Sequence, residues 1–184
     1  MLIKAVIGII ITASIVITTR QIMMPPKPVL LYNPSQSAAI GWYRLQSKLP
    51  IERGSQVAAY APEWARIMAD ERQYLPYDYP LIKTVWAVAG EEVCYHNSSV
   101  SVPKRPDIPV LRQDVLGRVM PQKSGCFVLK SGEYLLISPD VQTGFDSRYF
   151  GPVGRENILG RVKYLGNLKN KERAEYVGFN GFGG

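Results

Sequence analysis

The chain has 184 residues, of which 46% are hydrophobic and 20% charged, and carries a formal net charge of +7. That length fits one domain with appendages, and one histidine with two cysteines excludes the usual four-ligand Cys/His zinc cluster. Lys and Arg are scattered, with one dense patch at residues 169–173 and no interleaved aromatics, so no nucleic-acid surface is expected. The excess charge reads either as an ordinary basic surface or as attraction to anionic lipid headgroups.

In chain order, residues 5–19 form an uncharged, mostly apolar run behind Lys4. Counted from Leu2 to Thr19 the run would make a helix of about 27 Å, barely enough to cross a bilayer. It reads as a transmembrane signal anchor over 1–21 or as a cleaved signal peptide. No clean Ala-x-Ala site follows, which favours the anchor. Flanking charges are balanced and leave its orientation open. Residues 22–29 form a Pro-rich linker.

The body, 30–168, reads as strand-rich: Pro, Gly, Val, Tyr and Ile outweigh any long helical pattern. Short strands are expected over 29–33, 41–46 and 56–60. Residues 62–72 are the one convincing helix, with Pro62 at its start and Trp64, Ile67 and Met68 as a core stripe. Strands follow at 80–90, 92–95 and 100–102. Residues 103–121 read as an extended loop, 126–130 and 133–138 as a hairpin, and 158–165 as a last strand. Residues 169–184 read as a flexible tail.

Lys83 is the anomaly of this body. It lies in a β-branched run bounded by Pro80 and Gly90. Period-2 alternation puts it on one face with Leu81, Val85, Ala87 and Ala89, and Ile82, Thr84, Trp86 and Val88 on the other. Burial disfavours an ammonium and lowers its pKa, which turns a lysine into a general base. A serine on a constrained turn would complete a dyad. The best candidate turn is Asn33-Pro-Ser-Gln-Ser-Ala-Ala, in which Pro34 fixes the approach and Ser35 and Ser37 fall on one side of an extended chain. Alone, such a serine-rich segment reads more readily as an ordinary turn than as a nucleophile site.

Three separated segments then resemble the signal peptidase I family, and within it the conjugative-transfer (TraF-type) branch. They are Asn33-Pro-Ser-Gln-Ser37 with Gly41 and Tyr43, the lysine strand Lys83-Thr-Val to Gly90-Glu91, and Gly144-Phe-Asp-Ser-Arg-Tyr-Phe-Gly-Pro-Val153. The resemblance implies a mainly β, signal-peptidase-like fold of coiled antiparallel sheets with one short helix, behind an N-terminal anchor. It implies Ser37 as nucleophile, Lys83 as general base, Ser35 as an oxyanion donor, and Asp146 with Arg148 as a bracing pair. Pro34, Gln36, Ala38 and Ile82 are the expected substrate-binding positions. A disulfide between Cys94 and Cys126 is also implied; no metal and no cofactor are.

Two departures from the family pattern stand out. Ala39 occupies a position where the branch carries proline. Gly144 stands where many members have a serine that orients the lysine, so Thr143 or a water is expected to supply that hydrogen bond. The implied substrate is a pilin precursor or other preprotein, bound as an extended strand with small side chains near the scissile bond. The implied location is the bacterial inner membrane, with lipid as a partner and the catalytic domain in the periplasm. A general type I signal peptidase and a non-catalytic, membrane-anchored assembly factor are the alternatives.

Overall fold

A computed structural model describes residues 2–23 and 29–167. The linker call lies largely, and the tail call wholly, outside these residues. The first element is the helix α1 (Leu2–Met23). Its described aliphatic side chains are exposed, among them Ile7, Ile10 and Ile17, and the hydroxyls of Thr12, Thr18 and Thr19 each donate to the carbonyl four residues back. Among the described residues no helix is long and apolar enough to cross a membrane, so the spanning role expected of this segment is not shown.

Two antiparallel sheets make up the body. The larger has seven strands: β1 (Leu30–Asn33), β2 (Gly41–Gln46), β3 (Gln56–Ala59), β4 (Leu81–Ala87), β9 (Glu133–Ile137), β10 (Val153–Gly154) and β11 (Ile158–Gly166), in the order β1-β2-β11-β3-β4-β9-β10. The smaller has β5 (Glu92–Tyr95), β6 (Ser99–Ser101), β7 (Ile108–Pro109) and β8 (Gly125–Val128), in the order β7-β6-β5-β8. The expected hairpin of 126–130 with 133–138 does not form. β8 pairs with β5 and β9 pairs with β4, so the turn between them carries the chain from one sheet to the other. Cys94 and Cys126 are cross-strand partners in the small sheet and are joined by a disulfide.

Helix α2 (Glu63–Glu71) begins one residue after Pro62. Its buried positions are Ala65 and Ala69, while Trp64 and Ile67 are 45% and 44% exposed, which overturns the expected Trp64–Ile67–Met68 stripe. Small side chains four apart let the helix backbone lie close to the sheet; only Met68 of the three packs against the core. A second short helix, α3 (Ser147–Phe150), sits wholly buried behind β9. It starts where Asp146 accepts a hydrogen bond from the Arg148 N–H, an N-cap contact.

The alternation expected around Lys83 holds through Val85. There a bulge intervenes: Val85 pairs with Leu136 but Ala87 with Leu135. Trp86 is the extra residue, and both Trp86 and Ala87 join the core beneath the small sheet. Upstream of the bulge, Leu81 and Val85 face the main core and Ile82 faces a third cluster with Leu31, Tyr43, Ala58 and Val162.

Candidate active site

Lys83 is 2% exposed. It pairs with Val57 of β3 on one side. On the other, the β4–β9 register matches Thr84 with Ile137, and one further step sets Ser138 opposite Lys83. The lysine Nζ donates to Ser138 Oγ at 2.8 Å. Burial pushes the ammonium pKa down to about 8; Asp146 resists that fall and Arg148 adds to it. A neutral amine at this position gives one N–H to Ser138 and keeps its lone pair for another proton.

Ser138 is held from behind. Its backbone N–H donates to Asp146 Oδ2 at 2.9 Å, and that carboxylate is fully buried against Arg148. The guanidinium meets Asp146 through Nε at 2.8 Å and Nη2 at 2.8 Å. Its remaining donors bind the carbonyls of Pro109, Gln142, Val141 and Gly144. The pair thus leaves no charge unsatisfied in the interior, and it wraps the 138–144 turn around the guanidinium.

This turn explains Gly144. A Cβ there would lie 2.9 Å from Arg148 Nη2, 3.2 Å from Ser138 Cβ and 3.2 Å from the Val141 carbonyl. The space an orienting serine side chain would need at 144 is filled by Ser138 and the arginine. Thr143, expected to orient the lysine, is instead exposed and forms no hydrogen bond with it. The hydroxyl on the lysine comes from Ser138.

The Ser37 turn is built from Asn33 at the end of β1. The Asn33 amide donates to the carbonyls of Ser35, Ala38 and Ala39 at 2.8, 3.0 and 3.2 Å. Its Oδ1 accepts from Ser35 N–H at 3.3 Å and Ser35 Oγ at 3.1 Å. Tyr43 OH donates to the Ala39 carbonyl at 2.7 Å. Gly41 closes the turn at φ +142°, where a Cβ would lie 2.5 Å from the Gly166 carbonyl oxygen of β11. Ser37 Oγ lies 2.8 Å from Ser35 Oγ. When Ser35 gives its proton to Asn33, Ser37 is the donor of that contact.

Ser37 and Lys83 line two adjoining cavities. The larger, about 590 Å³, is open and of mixed polarity, with Gln36, Ala38, Gln56, Ile82, Thr84 and Ser138 on its walls. The smaller, about 260 Å³, lies beneath residues 111–120 and also includes Ser35. Pro34 is exposed and lines neither. No hydrogen bond joins Ser37 to Lys83 in this resting arrangement; each hydroxyl and amine is held by its own serine partner. Among the described residues no group of His, Cys, Asp and Glu could hold a metal ion.

The chain is similar to known proteins. The model of the family described as signal peptidase, peptidase S26, matches residues 2–165. A plasmid transfer protein TraF of Escherichia coli is 34% identical over 142 residues, 71% of this chain and 79% of that protein. A second E. coli plasmid transfer protein TraF is 31% identical over 137 residues, 68% of this chain and 76% of that protein. A signal peptidase I structure from Enterococcus faecalis superposes with a TM-score of 0.38 at 16% identity, over 64% of this chain and all of the other.

Proposed function

The chain belongs to the signal peptidase S26 family and is TraF-like, and on that premise we propose that it is a serine endopeptidase with a Ser37/Lys83 dyad that processes a conjugative pilin precursor. The observation that carries the reading is a lysine buried to 2% exposure, depressed toward neutrality, beside a serine turn.

In the proposed reaction Ser37 Oγ swings from Ser35 towards Lys83. The neutral amine takes its proton as the oxygen attacks the scissile carbonyl. The developing oxyanion accepts from the Ser37 N–H, which has no hydrogen-bond partner among the described residues, and from Ser35 Oγ once that hydroxyl turns from Asn33. Lys83 then protonates the leaving amine, and an acyl-enzyme on Ser37 remains. Water, deprotonated by the again neutral Lys83, releases it. An amino terminus of the substrate used in place of water would close the pilin into a ring with the same residues.

The substrate edge is supplied by β4. Leu81 and Ile82 pair with β3 on one side only, because β9 ends at Ile137 before Pro139. An extended peptide added there would run past Lys83 towards Ser37. Helix α1, apolar on every described face, supports association with a lipid bilayer. The disulfide supports an oxidising compartment such as the periplasm.

Intact-mass analysis of a conjugative pilin precursor co-expressed with the full chain tests the proposal. The precursor should lose its leader with the wild-type protein and stay whole with Ser37→Ala or Lys83→Ala. Normal trimming by either variant would sink the dyad, and a further loss of one water would mark cyclisation.

A further inference from the structure

The outer stripe of α2 takes no part in the proposed reaction. Ala65 and Ala69 carry the helix against the body, which leaves Trp64 and Ile67 facing outward at 45% and 44% exposure. Neither joins a core cluster among the described residues. Glu63, Ile67 and Glu71 follow at intervals of four and so stand one above the other, with Trp64 beside them. An exposed carboxylate therefore lies one turn to either side of Ile67, and exposed Asp70, three residues on, adds a third.

The arginines of the helix do not cancel these charges. Arg66 turns to the following loop, where its Nε donates to the Tyr77 carbonyl at 2.9 Å and its Nη2 to Asp78 at 3.1 Å. Its guanidinium also covers the rings of Tyr60 and Tyr77, 4.9 and 3.9 Å from their centroids. Arg72 points into the 111–120 segment, with Nη2 on the Val119 carbonyl at 3.1 Å and Nη1 3.9 Å from Asp114. These contacts also tie the helix to its neighbours, so the face is presented preformed. The result is an apolar, locally acidic surface on a chain of net charge +7.

Charge decides among the occupants such a face could take. Anionic lipid headgroups would meet Glu63, Asp70 and Glu71 and be repelled. Two copies joined through α2 about a two-fold axis would set the same carboxylates against their own counterparts. A segment with an apolar stripe framed by Lys or Arg satisfies both the centre and the rim, and an exposed Trp is a side chain on which binding energy concentrates.

We propose that the outer face of α2 is a docking site for a basic amphipathic segment of another protein, with Trp64 and Ile67 as the apolar anchor and Glu63 and Glu71 as its charged frame. The site is separate from Ser37 and Lys83 and stands independently of the peptidase reading.

The test titrates the full chain with two labelled synthetic amphipathic helices of about 14 residues, roughly four turns. Both carry the same leucine stripe, flanked by Lys in one and by Glu in the other, and binding is read by fluorescence anisotropy. The Lys helix should bind about tenfold more tightly, with the gap shrinking as salt rises. General attraction to a chain of net +7 runs the opposite way, so it cannot mimic this result. Trp64→Ala combined with Ile67→Ala should weaken the Lys helix about tenfold, and Glu63→Lys combined with Glu71→Lys should reverse the preference. Both variants should keep the wild-type unfolding midpoint, because all four side chains are exposed. Equal binding of the two helices, or binding that neither variant changes, would overturn the docking site. So would phosphatidylglycerol-vesicle binding, or a dimer in sedimentation equilibrium, that the Trp64 and Ile67 substitutions abolish, since the face would then serve lipid or a second copy.

Discussion

Ser138 stands directly across from Lys83, one step beyond the end of the β4–β9 ladder, and accepts a 2.8 Å hydrogen bond from its Nζ. Behind it, the Asp146–Arg148 pair grips its backbone. The lysine is therefore oriented by the residue that follows β9, not by one beside the aspartate.

Removing that hydroxyl should disorient the base without unfolding the protein. Ser138→Ala is expected to lower kcat by about 10- to 100-fold, the range of a general-base contribution, with KM little changed. It should also move the acidic limb of the pH–rate profile to lower pH, because the buried ammonium loses an acceptor. Ser138→Thr should restore part of the rate. A variant with wild-type kcat and an unmoved limb would deny Ser138 this role.

Gly144→Ser should not rescue Ser138→Ala. The new Cβ would meet Arg148 Nη2 at 2.9 Å. In the wild-type background Gly144→Ala is expected to cost about 1–3 kcal/mol, as overpacking of a tight interior does. Chemical denaturation midpoints read this directly.

Burial of Lys83 makes a prediction about stability and pH. The folded pKa is about 8 against an ordinary 10.5. Above pH 10.5 the lysine is neutral in both states and carries no penalty. Between 10.5 and 8 the unfolded chain binds a proton that the folded one refuses, so stability falls as pH falls; below 8 the penalty is complete and constant, on the order of 3 kcal/mol. Lys83→Met should therefore be more stable than wild type at pH 7, with the gap narrowing as pH rises from 8 to 10.5. The same pKa leaves about one lysine in ten neutral at pH 7, so acylation should speed up with pH and level off above about 8.

Arg148→Ala leaves the Asp146 carboxylate buried without its partner. A loss of about 3–5 kcal/mol is expected, with Ser138 and the 138–144 turn loosened. Arg148→Lys should recover little, because one ammonium cannot replace donors that reach six oxygens.

The strands of the large sheet and the buried lysine were largely legible in the chain. Lys83 betrayed itself by sitting among β-branched neighbours, and the large-sheet strands 29–33, 41–46 and 158–165 came out within a residue or two. What the sequence hid depends on distant packing. Residues 126–130 and 133–138 look like two arms of a hairpin because the turn between them is a good one, yet the strands they contain pair in different sheets. The α2 stripe misled because alanines, not large apolar residues, face the core. Ser138 was not singled out, although alternation in β9 puts it on the face of Leu136. Its role needs the β4–β9 register, and the need for glycine at 144 needs the arginine beside it. Asn33 opens the Ser37 segment, but its amide contacts to Ser35, Ala38 and Ala39 exist only in the folded turn.

The measurement that bears most directly on the dyad is acid-quench mass spectrometry of the full chain during turnover of a processed precursor peptide. An acyl adduct should appear on the peptide containing Ser37, form faster as pH rises towards 8, and be absent in Lys83→Ala. Turnover that continues in Ser37→Ala, or an adduct on any residue other than Ser37, would contradict a Ser37/Lys83 mechanism.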